Sequence, residues 1–96
     1  MATIHLGPRH VSMPDQVAAE FQEVLARVLG QGRGFMFMYE GDDRYQRSAL
    51  TVWVHPHLDW HVVYDGEDIP PIHEAVVEQH TAGILASGRL VILREG

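Results

Sequence analysis

Apolar and polar positions alternate most sharply in residues 50–64, LTVWVHPHLDWHVVY. Two period-two runs, Leu50 to His55 and Trp60 to Asp65, flank a short turn and predict the two strands of a β-hairpin. The register can be argued from the faces. A hairpin with an odd loop pairs Val54 with Trp60, Val52 with Val62 and Leu50 with Tyr64, which sorts the apolar side chains onto one face. The other face then carries Thr51, Trp53, His55, Asp59, His61 and Val63.

The remaining elements follow from the same patterns. Thr3 to Leu6 and His10 to Met13 predict two short strands joined by a turn at Gly7-Pro8. Ser12-Met-Pro-Asp15 has the spacing of a helix start, with Ser12 as cap and Asp15 closing an S-x-x-D box. Val17, Phe21, Val24, Leu25, Val28 and Leu29 recur at helical spacing, with Glu20, Glu23 and Arg27 opposite, and Gly30 and Gly32 end the helix. Phe35 to Tyr39 predicts a central strand and Gly41 to Ser48 a polar loop. Asp68-Ile-Pro-Pro71 opens a second helix with Asp68 as cap, running to about Ala86, and Arg89 to Leu93 predicts a last, interior strand.

The order is therefore ββαβββαβ in one domain spanning 1–96. Two helices cannot cover both faces of a five- or six-stranded sheet. The expected fold is an α+β two-layer sandwich with a mostly antiparallel sheet and both helices on one face. Phe21, Leu25, Val52 and Val62 should be buried between the first helix and the sheet. If Phe35, Phe37 and Tyr39 face the helices, Met36 and Met38 join Trp53 and Val63 on the open face. Such an apolar patch predicts a contact surface, for a second copy or for a host protein.

Composition narrows the chemistry. A chain of 96 residues hides only about 65% of its unfolded surface, so the core is modest. There is no cysteine and no lysine. Disulfides, thiolate metal sites, Schiff bases and a Walker lysine are excluded, and the lack of cysteine fits a reducing cytoplasm. The formal charge is −6 and the seven arginines are scattered, which argues against nucleic acid as partner. Runs such as FMFMY fall far short of the ~20 apolar residues of a membrane span, and the N-terminus lacks the pattern of a signal peptide.

The seven histidines are the only unusual chemical endowment. His55, Asp59 and His61 could converge at the hairpin mouth and hold zinc through nitrogen and oxygen. The string HPHLDWH departs from the H-x-H-x-D-H of metallo-β-lactamase-type hydrolases because Trp60 separates Asp59 from His61. The alternative to a metal-binding or hydrolytic role is that all three are solvated turn and strand residues, which predicts no cofactor. Gly30 to Gly34 follows a helix instead of preceding one, so it reads as a helix stop and not as a phosphate cradle. The adjacent carboxylates Asp42-Asp43 and Glu67-Asp68 read as solvated turns. His73 and His80 fall on one side of the second helix as rim residues. No serine has the context of a nucleophile elbow. These features point to a non-enzymatic interaction domain.

Several blocks, namely MPDQVAAEFQEVLARVL, GFMFMYE, Trp53 to Pro56, VVYDG, PPIHEAVVEQ and GRLVIL, resemble in their order a group of small uncharacterised single-domain proteins of actinobacteria and their phages. The resemblance covers most of the chain. It implies a compact α+β domain with no established activity. The expected function is that of a phage or mobile-element accessory protein that acts by binding a host protein. The hairpin histidines are not part of that group's pattern. Its basic pair before the aromatic strand is replaced here by Gly30-Gln31-Gly32. Some members carry a DNA-ligase label, but a chain without lysine has no residue to adenylate.

Overall fold

A computed structural model describes residues 1–42, 47–66 and 68–93. The element order is β1 (Ala2–Leu6), β2 (Arg9–Met13), α1 (Asp15–Gly30), β3 (Phe35–Asp42), β4 (Arg47–Val54), β5 (Trp60–Tyr64), α2 (Glu74–Ser87) and β6 (Arg89–Leu93). The fold is α+β in the order ββαβββαβ. Residues 43–46, the middle of the expected polar loop, lie outside the described residues, and the flanking strands reach further into that loop than the pattern indicated.

The strands do not form one sheet. They make two three-stranded sheets, β2-β1-β5 and β4-β3-β6. All pairings are antiparallel except β3 with β6, which is parallel. The expected hairpin is therefore absent: β4 pairs with β3, and β5 pairs with β1. The segment between them carries the chain from one sheet to the other. The Leu58 N–H donates to the His55 carbonyl at 3.0 Å, and the Gly7 N–H donates to the Asp59 carbonyl at 2.8 Å, so this segment continues the β1–β5 ladder. β3 is central, as its apolar run implied, but β6 is an edge strand and not an interior one.

One core joins both sheets to the helices. Ala2, Ile4, Leu6, Val11 and Met13 supply it from the first sheet. Phe35, Phe37, Tyr39, Val54 and Leu90 supply it from the second. α1 contributes Ala18, Phe21, Val24, Leu25 and Val28, and α2 contributes Val77 and Ile84. Phe21 stacks on Phe37 with ring centroids 4.5 Å apart, which locks α1 to the second sheet. Val52 and Val62 are only partly buried against this core.

The helix starts differ from their sequence signals. Ser12 does not cap α1. It belongs to β2, opposite Thr3, and its carbonyl accepts the Tyr39 hydroxyl at 2.9 Å. Pro14 holds the cap position without a side-chain bond. α2 begins at Glu74, well after Asp68. Pro70 and Pro71 each push the preceding residue out of helical geometry, so Ile69 and Pro70 stay outside the helix. Glu20, expected on the polar face, is only 8% exposed. Its Oε2 accepts the His73 backbone N–H at 2.9 Å and lies 3.0 Å from His73 Nδ1, which ties the entry of α2 to α1.

Geometry demands glycine at positions 34 and 88, where the second sheet is assembled. A Cβ at Gly34 would stand 2.7 Å from the Val54 carbonyl oxygen, so the chain can enter β3 beside β4 only without a side chain. Gly88 has φ 77°, and its N–H closes α2 on the Ile84 carbonyl at 2.7 Å. This left-handed cap turns the chain into β6, where the Gly88 carbonyl accepts the Met36 N–H at 2.9 Å.

Candidate functional site

With alternate residues turned into the core, each sheet has an outer face set by the others. In the second sheet the cross-strand rows are Trp53–Met36–Arg89 and Thr51–Met38–Val91, followed by the pair Ala49–Glu40. Trp53 is 56% exposed, Val91 47% and Met38 38%. The three residues expected together, Met36, Met38 and Trp53, do share this face. Val63 does not: it lies on β5 in the other sheet, opposite Thr3, and Val91 takes the place assigned to it. Sequence does not single out Val91, because only the parallel pairing of β6 with β3 sets it beside Met38.

The same face is not flat. A hollow of about 270 Å³ is lined by Met38, Glu40, Ala49, Leu50, Thr51 and Val91, one row along from half-exposed Trp53. A second cleft, of about 320 Å³, lies among α1, α2 and β6. Its walls include Val17, Phe21, Val24 and Leu90, with Glu20 and His80 as polar members. The Glu20 carboxylate is already held by His73 there.

The outer face of the first sheet is polar. One row is Ser12–Thr3–Val63 and the next is His10–His5–His61. The rings of His5 and His61 stack with centroids 4.3 Å apart and planes 11° apart, and those of His5 and His10 stand 5.9 Å apart. His5 and His10 were not candidates from sequence. They became neighbours of His61 only through the β1–β5 pairing, which links distant parts of the chain.

The expected zinc set His55, Asp59 and His61 is not assembled. His61 sits on the β5 face against His5, whereas His55 turns to His57, accepting the His57 N–H on Nδ1 at 3.2 Å. Among the described residues, no three histidine, aspartate or glutamate side chains are placed to hold one metal ion. His73 and His80 also part company, since His73 precedes α2 and is committed to Glu20.

Titration shifts mark links between elements. The Arg27 guanidinium, 2.7 Å from Glu74, holds the Glu74 carboxyl below its ordinary value by hydrogen bonding, with desolvation opposing. Burial, and then the Asp15 carboxylate, hold the Tyr64 hydroxyl above its ordinary value. That hydroxyl donates to Gln22 Oε1 at 2.8 Å, joining β5 to α1.

These features define a small α+β domain whose two sheets share a core and show unlike outer faces. The chain belongs to the family described as a domain of unknown function, DUF7882, whose model matches residues 1–95. Comparison with curated proteins and with solved structures found no match. Among the described residues, no helix is long and apolar enough to cross a membrane.

Proposed function

We propose that this protein is a non-enzymatic interaction domain of the cytoplasm that pairs with a second copy of itself through the outer face of the β4-β3-β6 sheet. The observation that supports this reading is an exposed aromatic and a hollow on one face: half-exposed Trp53 and the 270 Å³ depression over Met38, Ala49 and Thr51. A closed dimer needs a surface that is complementary to itself. A two-fold axis across the strands, through the Thr51–Met38–Val91 row, lays the Trp53 of each copy over the Ala49 end of the other's hollow. The same rotation brings Arg89, in the Met36 row, towards Glu40, two rows further along the face. Tryptophan, methionine and arginine are the residues enriched in such contacts. The absence of cysteine supports the compartment.

Light scattering coupled to size exclusion tests the pairing. Wild type is expected to dimerise, and Trp53→Asp to be monomeric. Val63→Asp, on the other sheet, should leave the dimer intact. A wild type that stays monomeric across the accessible concentration range overturns the proposal.

A further inference from the structure

We infer that the cleft among α1, α2 and β6 is a binding site for a small primary amine with an apolar body, whose ammonium group pairs with Glu20 beside His80. The cleft measures about 320 Å³, at the lower end of the range for ligand pockets. Its walls are apolar. Phe21, Val24 and Leu90 are buried there, and Val17, Val76 and Ile92 are half-buried. Among the described residues, Glu20 and His80 are the polar side chains of the lining.

A carboxylate in such walls calls for a partner. Glu20 is only 8% exposed, and a charge removed from water needs pairing and hydrogen bonds. His73 serves one of its oxygens. Oε2 accepts the His73 backbone N–H at 2.9 Å and lies 3.0 Å from His73 Nδ1. Oε1 takes no hydrogen bond among the described residues, although an ionised carboxylate has about four acceptor sites. The contact with His73 therefore orients the carboxylate and leaves its second oxygen as an acceptor in the wall of the cleft. An ammonium group is the complement, since it has donors only and opposite charge. The chain's net charge of −6 favours a cation, and like charge at Glu20 excludes an anion. The ring of His80 gives a second polar contact. Lysine is absent from the chain, so no lysine of a second copy supplies the ammonium. The occupant is a separate molecule, and the inference does not depend on the pairing proposed above.

The test is NMR titration of the folded chain with phenethylamine, with phenethyl alcohol and hydrocinnamate as neutral and anionic comparisons. Phenethylamine is expected to shift the signals of Val17, Val24, Val76 and His80. It should bind at least about tenfold more tightly than the alcohol, because hydrogen bonds to charged groups are the stronger kind. Hydrocinnamate should not saturate the site. Glu20→Gln keeps an acceptor for His73 and should lower the affinity for the amine to that for the alcohol. Val76→Trp fills the cleft from α2 and should abolish binding of both. Circular dichroism checks that each variant is folded; were Glu20→Gln to unfold, Val76→Trp and the shift map decide the matter. Nα-acetyl-lysine amide, the side chain a partner protein would offer, should bind more weakly than phenethylamine because it lacks the apolar body. Equal affinity for amine and alcohol, wild-type affinity in either variant, tighter binding of the lysine amide, or shifts centred outside the cleft overturns the inference. Repeating the titration in Trp53→Asp separates the two proposals, because the expected affinity there is unchanged.

Discussion

The two sheets turn similar surfaces inward and different ones outward. Inside, β1 offers Ala2, Ile4 and Leu6 while β3 offers Phe35, Phe37 and Tyr39, and both sets belong to one core. Outside, the first sheet shows three histidines, a serine, a threonine and the lone apolar Val63, and the second sets tryptophan, two methionines and a valine among Arg89, Thr51 and Glu40. Burial constrains every inner position to be apolar and well packed. The outer positions are free of that demand, so their composition carries information about use. A face of three imidazoles, two hydroxyls and one valine is mostly polar. A face with Trp53 and Val91 about half exposed suits another protein.

The largest effect should come from the residue whose ring joins α1 to the second sheet. Phe21→Ala removes the ring stacked on Phe37 and is expected to cost ~3–5 kcal/mol, read by denaturant titration. Each sheet carries one tryptophan, Trp60 in the first and Trp53 in the second. Single-tryptophan variants should therefore report coincident transitions; two separated midpoints would show that the sheets are not held by a common core.

Next in size is the contrast between the outer faces. Wild-type melting temperature should rise with protein concentration, as it does when association stabilises the native state. Trp53→Asp should abolish that dependence while shifting the monomer's own stability by no more than about 0.5 kcal/mol, as for other surface changes. An Asp at Val63 should leave the concentration dependence as it was. If Val63→Asp dissociated the protein instead, the assignment of roles to the two faces would be reversed.

A smaller effect lies at the first sheet's inner edge. Tyr64→Phe loses the bond to Gln22 and should cost about 0.5–1.5 kcal/mol. Since the folded Tyr64 hydroxyl titrates above its unfolded value of about 10, its contribution is complete below that pH and is lost as pH rises towards the folded value. Wild type and Tyr64→Phe should thus converge in stability at strongly alkaline pH. The smallest effect should be that of Glu74, which belongs to neither sheet. Its lowered folded value means a contribution present above the unfolded carboxylate range and lost as pH falls through the folded value. Acid titration of Glu74→Gln beside wild type should show a slight divergence near neutrality that closes at low pH. An exposed pair contributes little, so a large gap would mean that the helix pair matters more than either sheet.

Much of this architecture was legible because a strand's alternation reveals which side chains point inward. Leu50, Val52 and Val54, and likewise Trp60, Val62 and Tyr64, do face the core as their spacing indicates. Alternation does not reveal the neighbour, because any partner in register satisfies the same pattern. That is why β4 and β5 read as a hairpin while each pairs elsewhere. The helix of Val17 to Leu29 was plain from its period. The entry of α2 was not, because Asp68 is a good cap on local grounds and two prolines intervene. Met36, Met38 and Trp53 could be grouped because β3 and β4 are neighbours in sequence and in space. His5 and His10 could not be joined to His61, since nothing local relates residue 5 to residue 61.

The pairing of remote strands also dictates an order of events during synthesis. β1 waits for β5, some sixty residues later, and β3 receives β6 only after Leu93 has left the ribosome. Loop closure over such separations makes folding slow. Until it is complete, one edge of β3 stands open, with Phe35, Phe37 and Tyr39 along it lacking their last neighbour. A nascent chain stalled before β6 presents a bare, aromatic strand edge of the kind that recruits other chains. Products that stop before β6 should therefore aggregate far more readily than chains that include it, and β6 acts as the seal on an otherwise sticky intermediate.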